Sequence, residues 1–344
     1  MPISKRPALL LVAGLLSLTL LAPPVWSASE VNIYSARKEA LIKPLLDKFT
    51  EQTGIEVNLV TGKADALLKR LESEGRNSPA DILLTVDAGR LHRAKELGVI
   101  QPIDSVTLKA AIPASYREPE GYWWGLSLRA RPIMYVKGKV DPAELSTYEA
   151  LTDSKWKSRI CIRSSSNIYN QSLLASMIAS NGAEATEKWS RGMVANFARP
   201  PRGGDTDQIK AAASGICDIA IANTYYLGNM LSGSDQGLRE TAGKVGVFWP
   251  NQDGRGTHVN VSGAAVTASA KNTEAAVKLI EFLVTDESQA WYAQVNSEYP
   301  VKPGVAWSET LEGWGQFKAD DINLERLGEL NAEAVRVMDR AGWK

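Results

Sequence analysis

Val31-Asn32-Ile33-Tyr34-Ser35-Ala36-Arg37 and the sixty residues after it decide the fold. Val31 to Tyr34 is a short apolar strand that turns at Ser35-Ala36-Arg37. From Glu39 to Thr53, Leu41, Ile42, Leu45, Leu46 and Phe49 recur at a helical period, and Gly54 ends the helix. Ile55 to Val60 reads as a strand, and Ala64 to Glu74 as a helix with Leu67, Leu68 and Leu71 on one face. Asp81 to Val86 is a third strand, and Arg90 to Leu97 a helix stopped by Gly98. This β-α-β-α-β-α order predicts a parallel sheet covered by helices, an α/β fold.

Outward from that stretch, Tyr122-Trp123-Trp124-Gly125 breaks the alternation, and Leu126 to Leu128 and Pro132 to Lys137 read as extended. The Trp123-Trp124 pair fits packing between lobes better than a stacking platform. The alternation then resumes. A strand at Arg159–Arg163 leads to helices at Gln171–Ser180, Ala183–Asn196 and Thr206–Ser214, then a strand at Cys217–Ala222. Val245–Trp249 and Val259–Val266 are further strands. Ala275–Val284, Ser288–Val295 and most of Asn323–Arg340 read as helices. No low-complexity linker divides the chain, so two interleaved lobes are expected, joined by extended crossings near Ser127–Arg131 and Asn260–Gly263. The expected division is residues 29–131 with about 259–306, against 132–258 with about 307–344. Ligands favour clefts between domains and the carboxyl ends of parallel strands.

Two stretches of the middle region share one layout. Ile160-Cys161-Ile162-Arg163 precedes Asn167-Ile168-Tyr169, and Ile216-Cys217-Asp218-Ile219 precedes Asn223-Thr224-Tyr225-Tyr226. Each places a tyrosine 8 residues past a cysteine (169 − 161; 225 − 217). If the two strands are neighbours, a Cys161–Cys217 disulfide can bridge their starts and three phenols can converge at their ends. Phenolate is a hard, strongly donating ligand suited to Fe(III). Adjacent Tyr225 and Tyr226 reach one ion only off regular strand geometry, because strand neighbours point to opposite faces. A loop there, with Gly228 nearby, would give that freedom. A bare Tyr-Tyr pair is otherwise ordinary amphipathic packing.

Lys5 and Arg6, the apolar run Ala8–Leu21, Pro23-Pro24 and small residues at Ser27, Ala28 and Ser29 read as a cleaved export signal over residues 1–28. The expected location is therefore the periplasm. Removing Lys5 and Arg6 leaves 37 basic against 39 acidic residues (39 − 2 = 37), with no basic excess of the kind nucleic-acid binding uses. About 315 remaining residues exceed one ordinary core. Export permits disulfides, and two cysteines suit one bridge. His92 and His258 are too few and too far apart for a histidine-rich metal site.

The chain from about residue 30 onward resembles the ferric-iron-binding periplasmic proteins of bacterial ABC importers. The resemblance is carried by Val31–Arg37, Gln52-Thr53-Gly54-Ile55, Ser78-Pro79-Ala80-Asp81-Ile82, Leu126–Arg131, Asn223-Thr224-Tyr225-Tyr226 and Ser262-Gly263-Ala264-Ala265. It implies a two-lobe type II periplasmic-binding fold with iron in the cleft between lobes. Tyr225 and Tyr226 match the family's paired phenolate ligands, and Tyr169 the third tyrosine of many members. Where some members carry a further His or Tyr ligand this chain has Lys38 and Glu39, and where a branch uses Glu it has Val86 and Asp87. The pattern resembles members that complete the shell with carbonate or another small anion, held here by Arg37 and Arg131. Glu39 stands in reserve as a ligand, and Asn167 and Asn223 orient loops. An ABC permease is the implied partner, and a monomer is expected.

Two other readings stay open from the residues. One is capture of another small solute, an anion or a thiamine-like cation, in the same cleft. The other is an exported hydrolase, against which no Gly-x-Ser-x-Gly occurs.

Overall fold

The computed structural model describes residues 1–2 and 30–344, so the expected export signal lies almost wholly outside the described residues. Strands are β1 Glu30–Ser35, β2 Glu56–Thr61, β3 Ile82–Val86, β4 Ile100–Gln101, β5 Trp124–Ala130, β6 Ile133–Val136, β7 Ile160–Cys161, β8 Ile219–Ile221, β9 Val245–Phe248, β10 Val259–Thr267 and β11 Tyr299–Pro300. They form two sheets. The first runs β11-β5-β10-β3-β1-β2, with β4 beside β10; the second runs β7-β8-β6-β9. β1 pairs in parallel with β2 and β3, as the opening alternation requires. Helices Lys43–Thr53 and Ala64–Glu74 bury Leu45, Leu46, Phe49, Leu67, Leu68 and Leu71, the stripes seen in their periodicity.

The chain passes between sheets twice. β5 lies in the first sheet and β6, which begins three residues later, in the second. β9 lies in the second sheet and β10 in the first. The two crossing strands are hydrogen-bonded to each other: β10 runs antiparallel to β5, pairing Val259 with Ala130 and Asn260 with Arg129. Just past that ladder the Arg131 N–H donates to the His258 carbonyl at 3.0 Å.

The tail packs along the molecule's flank. Helix Glu325–Glu329 rests on helices Ala88–Glu96 and Ile168–Asn181, and helix Asn331–Arg340 on Ile168–Asn181 and Ala183–Asn196. Trp123 and Trp124 are fully buried, and Trp123 donates its indole N–H to Glu325 at 2.8 Å. The pair therefore serves the core and anchors the tail.

Candidate metal centre

β7 and β8 are neighbours in parallel, with Ile160 opposite Ile219. Cys161 and Cys217 are disulfide-bonded with their Cα atoms 5.9 Å apart, within the normal range for such a bond. Beyond the carboxyl end of each strand the chain starts a helix just after an Asn, although only Asn167 caps its helix with its side chain. Asn167 caps helix Ile168–Asn181, its side chain accepting the Tyr169 N–H at 3.2 Å, and Asn223 precedes helix Thr224–Ser232. The repeated layout is thus a pair of helix starts. Tyr225 and Tyr226 lie in a first helical turn, not the expected loop. Consecutive helical residues are about 100° apart, which lets neighbouring phenols share one side where a strand would part them. Their rings lie 4.4 Å apart at 32°. Gly228 serves packing rather than freedom: a Cβ there would come within 2.5 Å of Ser297 Cβ.

The three phenols come together. Tyr225 Oη donates to Tyr169 Oη at 3.2 Å, and all three half-buried tyrosines line one cavity of about 410 Å³. Arg37, Lys38, Val86, Arg129, Ser262 and Glu298 from the first sheet's side complete its wall. Roomier hollows of about 590 and 700 Å³ around Asn251 contain none of these groups, so size alone does not mark the site.

The electrostatics balance two demands. Burial, reinforced by the neighbouring phenols, pushes the Tyr225 hydroxyl well above its ordinary value, and burial pushes Tyr226 up to about 12. Both are therefore neutral until something stronger than water takes the oxygen. Around Tyr169, the guanidinium carbons of Arg163, Arg129 and Arg131 stand 5.5, 5.6 and 6.0 Å from the ring centroid. The positive ends of two helices add to that field. Negative charge on the oxygens is thus supported once protons leave.

The arginines divide differently from expectation. Arg37 is 6% exposed and gives Nη2 to Ser127 Oγ at 2.7 Å and Glu298 at 2.6 Å. Its charge is locally matched by Glu298, a residue 261 positions away that no sequence pattern links to it. Arg131 does not line the cavity. Its Nη1 is held by Asp205 at 3.0 Å and Asn223 at 2.8 Å, and its Nη2 by Asn170 at 2.8 Å. It braces the two helix starts from behind. Arg129, two residues earlier, does line the cavity; it is 2% exposed, and its Nε and Nη2 have no hydrogen-bond partner. Lys38 is an exposed part of the wall, and Glu39 is exposed and begins a 3-10 turn. Asp87 is buried and engaged elsewhere. His258 is buried; its environment, with Arg255, Arg131 and Arg129 close by, holds it well below its usual value, so the ring is neutral.

Two α/β sheets bridged by paired crossings, with a polar cavity at strand ends, define a carrier that encloses a small ligand. The chain belongs to the family of bacterial extracellular solute-binding proteins, whose family model matches residues 45–319. It is similar to iron uptake protein A1 of Synechocystis sp., 54% identical over 315 residues, 92% of this chain and 88% of that protein. Among solved structures it resembles Trichodesmium IdiA (FutA) in complex with iron and citrate, at 53% identity and TM-score 0.90 over 92% of this chain and all of that one. It also resembles the ferric binding protein from Campylobacter jejuni, at 39% identity and TM-score 0.87 over 91% of this chain and all of that one. The fold is the type II periplasmic-binding fold: two α/β lobes with the ligand cleft between them.

Proposed function

We propose that this chain captures Fe(III) in the cavity through the phenolates of Tyr169, Tyr225 and Tyr226 and delivers it, in the periplasm, to an ABC permease of the inner membrane. The observation that carries this reading is the meeting of the Tyr169 and Tyr225 oxygens at 3.2 Å on a cavity wall that also holds Tyr226. Three phenolates balance the 3+ charge, and the names of similar proteins point the same way. The lobe division at 131/132 and 258/259 belongs to this reading; the change of sheet between β5 and β6 and between β9 and β10 supports it.

A small oxyanion such as carbonate completes the shell. Arginine's planar paired donors suit such an anion. The unpartnered Nε and Nη2 of Arg129 favour it as the main donor, with Arg37 beside it. A cavity of about 410 Å³ also favours a second reading, in which iron arrives as a chelate with a larger carboxylate.

The test is optical. Purified protein titrated with Fe(III) in bicarbonate is expected to gain a phenolate-to-iron charge-transfer band at one equivalent. The same titration in carbonate-free buffer, with and without citrate, separates the small-anion form from the chelate. No visible band under any of these conditions would end the iron reading in favour of another solute.

A further inference from the structure

Asp87 is completely buried directly after β3 and has a positive φ of 83°, a conformation that side-chain-bearing residues rarely adopt. Such backbone persists only where the surroundings over-determine it. Here they do. One carboxylate oxygen accepts the Gly89 N–H at 3.0 Å and the Ser172 hydroxyl at 2.7 Å. The other accepts the Asn260 amide at 2.9 Å, and Arg129 Nη2 lies 3.7 Å away. The Asp87 N–H itself donates to the Val261 carbonyl at 2.9 Å.

These partners come from three places. Gly89 belongs to the first lobe's own helix, Asn260 and Arg129 to the two crossing strands, and Ser172 to the other lobe. Ser172 is fully buried and sits one turn after Tyr169, on the same helix face. A Cβ on Gly89 would stand 3.2 Å from Asp87 Oδ1, 3.5 Å from Ile168 Cδ1 and 3.8 Å from Ser172 Oγ, so the two helix starts meet with no room to spare. Asp87 follows Val86, which lines the cavity, and its carboxylate is divided among its own helix, the crossing strands and, through Ser172, the second lobe.

We propose that Asp87 and Ser172 form a latch that holds the two lobes together over the cavity, which makes Asp87 a positioning residue for Tyr169. The carboxylate is anchored to the crossing strands and takes the Ser172 hydroxyl when the lobes meet. It thereby fixes the first turn that presents the Tyr169 phenol. A hydrogen bond to a charged group is a strong one, so its loss is expected to speed ligand escape about tenfold. The latch as a device for iron retention rests on the iron reading given above.

The test uses Ser172→Ala, Asp87→Asn and the double variant of the full chain, loaded with Fe(III) in bicarbonate and challenged with excess citrate. Loss of the visible band gives the release rate. Each single variant is expected to release iron about tenfold faster, and the double variant no faster than the faster-releasing single. Ser172→Ala is expected to melt, iron-free, within several degrees of the parent, as the loss of one hydrogen bond allows, which separates latching from general destabilisation. Release from Ser172→Ala at the parent rate, or a double variant whose effect is the product of the singles, would overturn the latch. If the parent shows no band at all, the iron reading fails by itself. The latch is then judged by solution scattering, where Ser172→Ala is expected to have the larger radius of gyration and equal radii would overturn it.

Discussion

The hydroxyl of Tyr225 donates to that of Tyr169 at 3.2 Å, joining the first turns of two helices that follow neighbouring parallel strands. A hydrogen bond between two neutral phenols is modest. Its significance is that two phenol oxygens from separate β-α units already lie side by side.

Replacing Tyr225 or Tyr226 with Phe keeps the packed ring and removes one hydroxyl oxygen. Each variant is expected to fold, with a melting temperature within a few degrees of the parent, because the lost neutral hydrogen bond is worth about 1 kcal/mol. Iron retention should fall at least a hundredfold and the visible band should weaken and shift. Variants that keep the parent's colour and affinity would make these tyrosines packing residues.

Acid should release the metal. Burial holds Tyr226 protonated up to about 12 and pushes the Tyr225 hydroxyl well above its ordinary value, so iron binding must displace their protons. Each displaced proton makes binding about tenfold weaker per unit of falling pH. The sign for the metal-free fold is opposite in range. Raised phenol values contribute stability that is fully present below about pH 10, the ordinary tyrosine value, and lost as pH rises through the folded values. Proton release on iron loading, followed in weakly buffered solution, checks the first claim. A binding constant independent of pH would sink it.

Arg129 and Arg131 should fail differently. Arg131→Ala removes the nearest cation from the fully buried Asp205, leaving it the Asn223 N–H at 3.0 Å and Arg163 at 3.7 Å, and is expected to cost about 3 kcal/mol of stability. Arg129→Gln leaves the buried Asp87 its hydrogen bonds from Gly89, Ser172 and Asn260, so it should cost less stability than Arg131→Ala and lose the benefit of bicarbonate for iron retention. Thermal melts paired with iron titrations, with and without bicarbonate, read both. Equal bicarbonate dependence in Arg129→Gln and the parent would remove Arg129 from the anion site.

The Cys161–Cys217 bridge closes a span of 56 positions, for which chain entropy gives a stabilisation of about 4 kcal/mol. Reduction, or Cys161→Ser with Cys217→Ser, is expected to lower the denaturant midpoint and loosen iron binding together. A reduced protein that melts where the oxidised one does would show the strand pair to be held by its ladder alone.

Periodicity placed helices Ala64–Glu74 and Ala183–Asn196 at their observed ends, because their apolar stripes are regular and flanked by clear stops. The tyrosines were legible as a group through the repeated cysteine spacing, but their helical setting was not. Asn223 and Thr224 read as turn residues, although Asn also begins helices. The arginines could not be told apart. Positions 129 and 131 have the same parity, so alternation puts them on one face of an extended segment. β5 ends at Ala130 and the chain crosses to the second sheet, which sends Arg131 behind the tyrosines. The pairings of Arg37 with Glu298 and of Asp87 with Ser172 were invisible, because the partners lie 261 and 85 positions apart and no local period links them.

The contact between the Arg131 N–H and the His258 carbonyl brings the start and finish of one long segment together. Tyr169, Tyr225, Tyr226, both cysteines and Asp205 all lie within it. The three tyrosines are therefore borne on a single contiguous cassette whose two ends are adjacent in space. Segments of that kind tolerate transplantation. Exchanging residues 131–258 between related carriers should transfer the preference for a metal, while the flanking sequence keeps its separate task of closing over whatever the cassette holds.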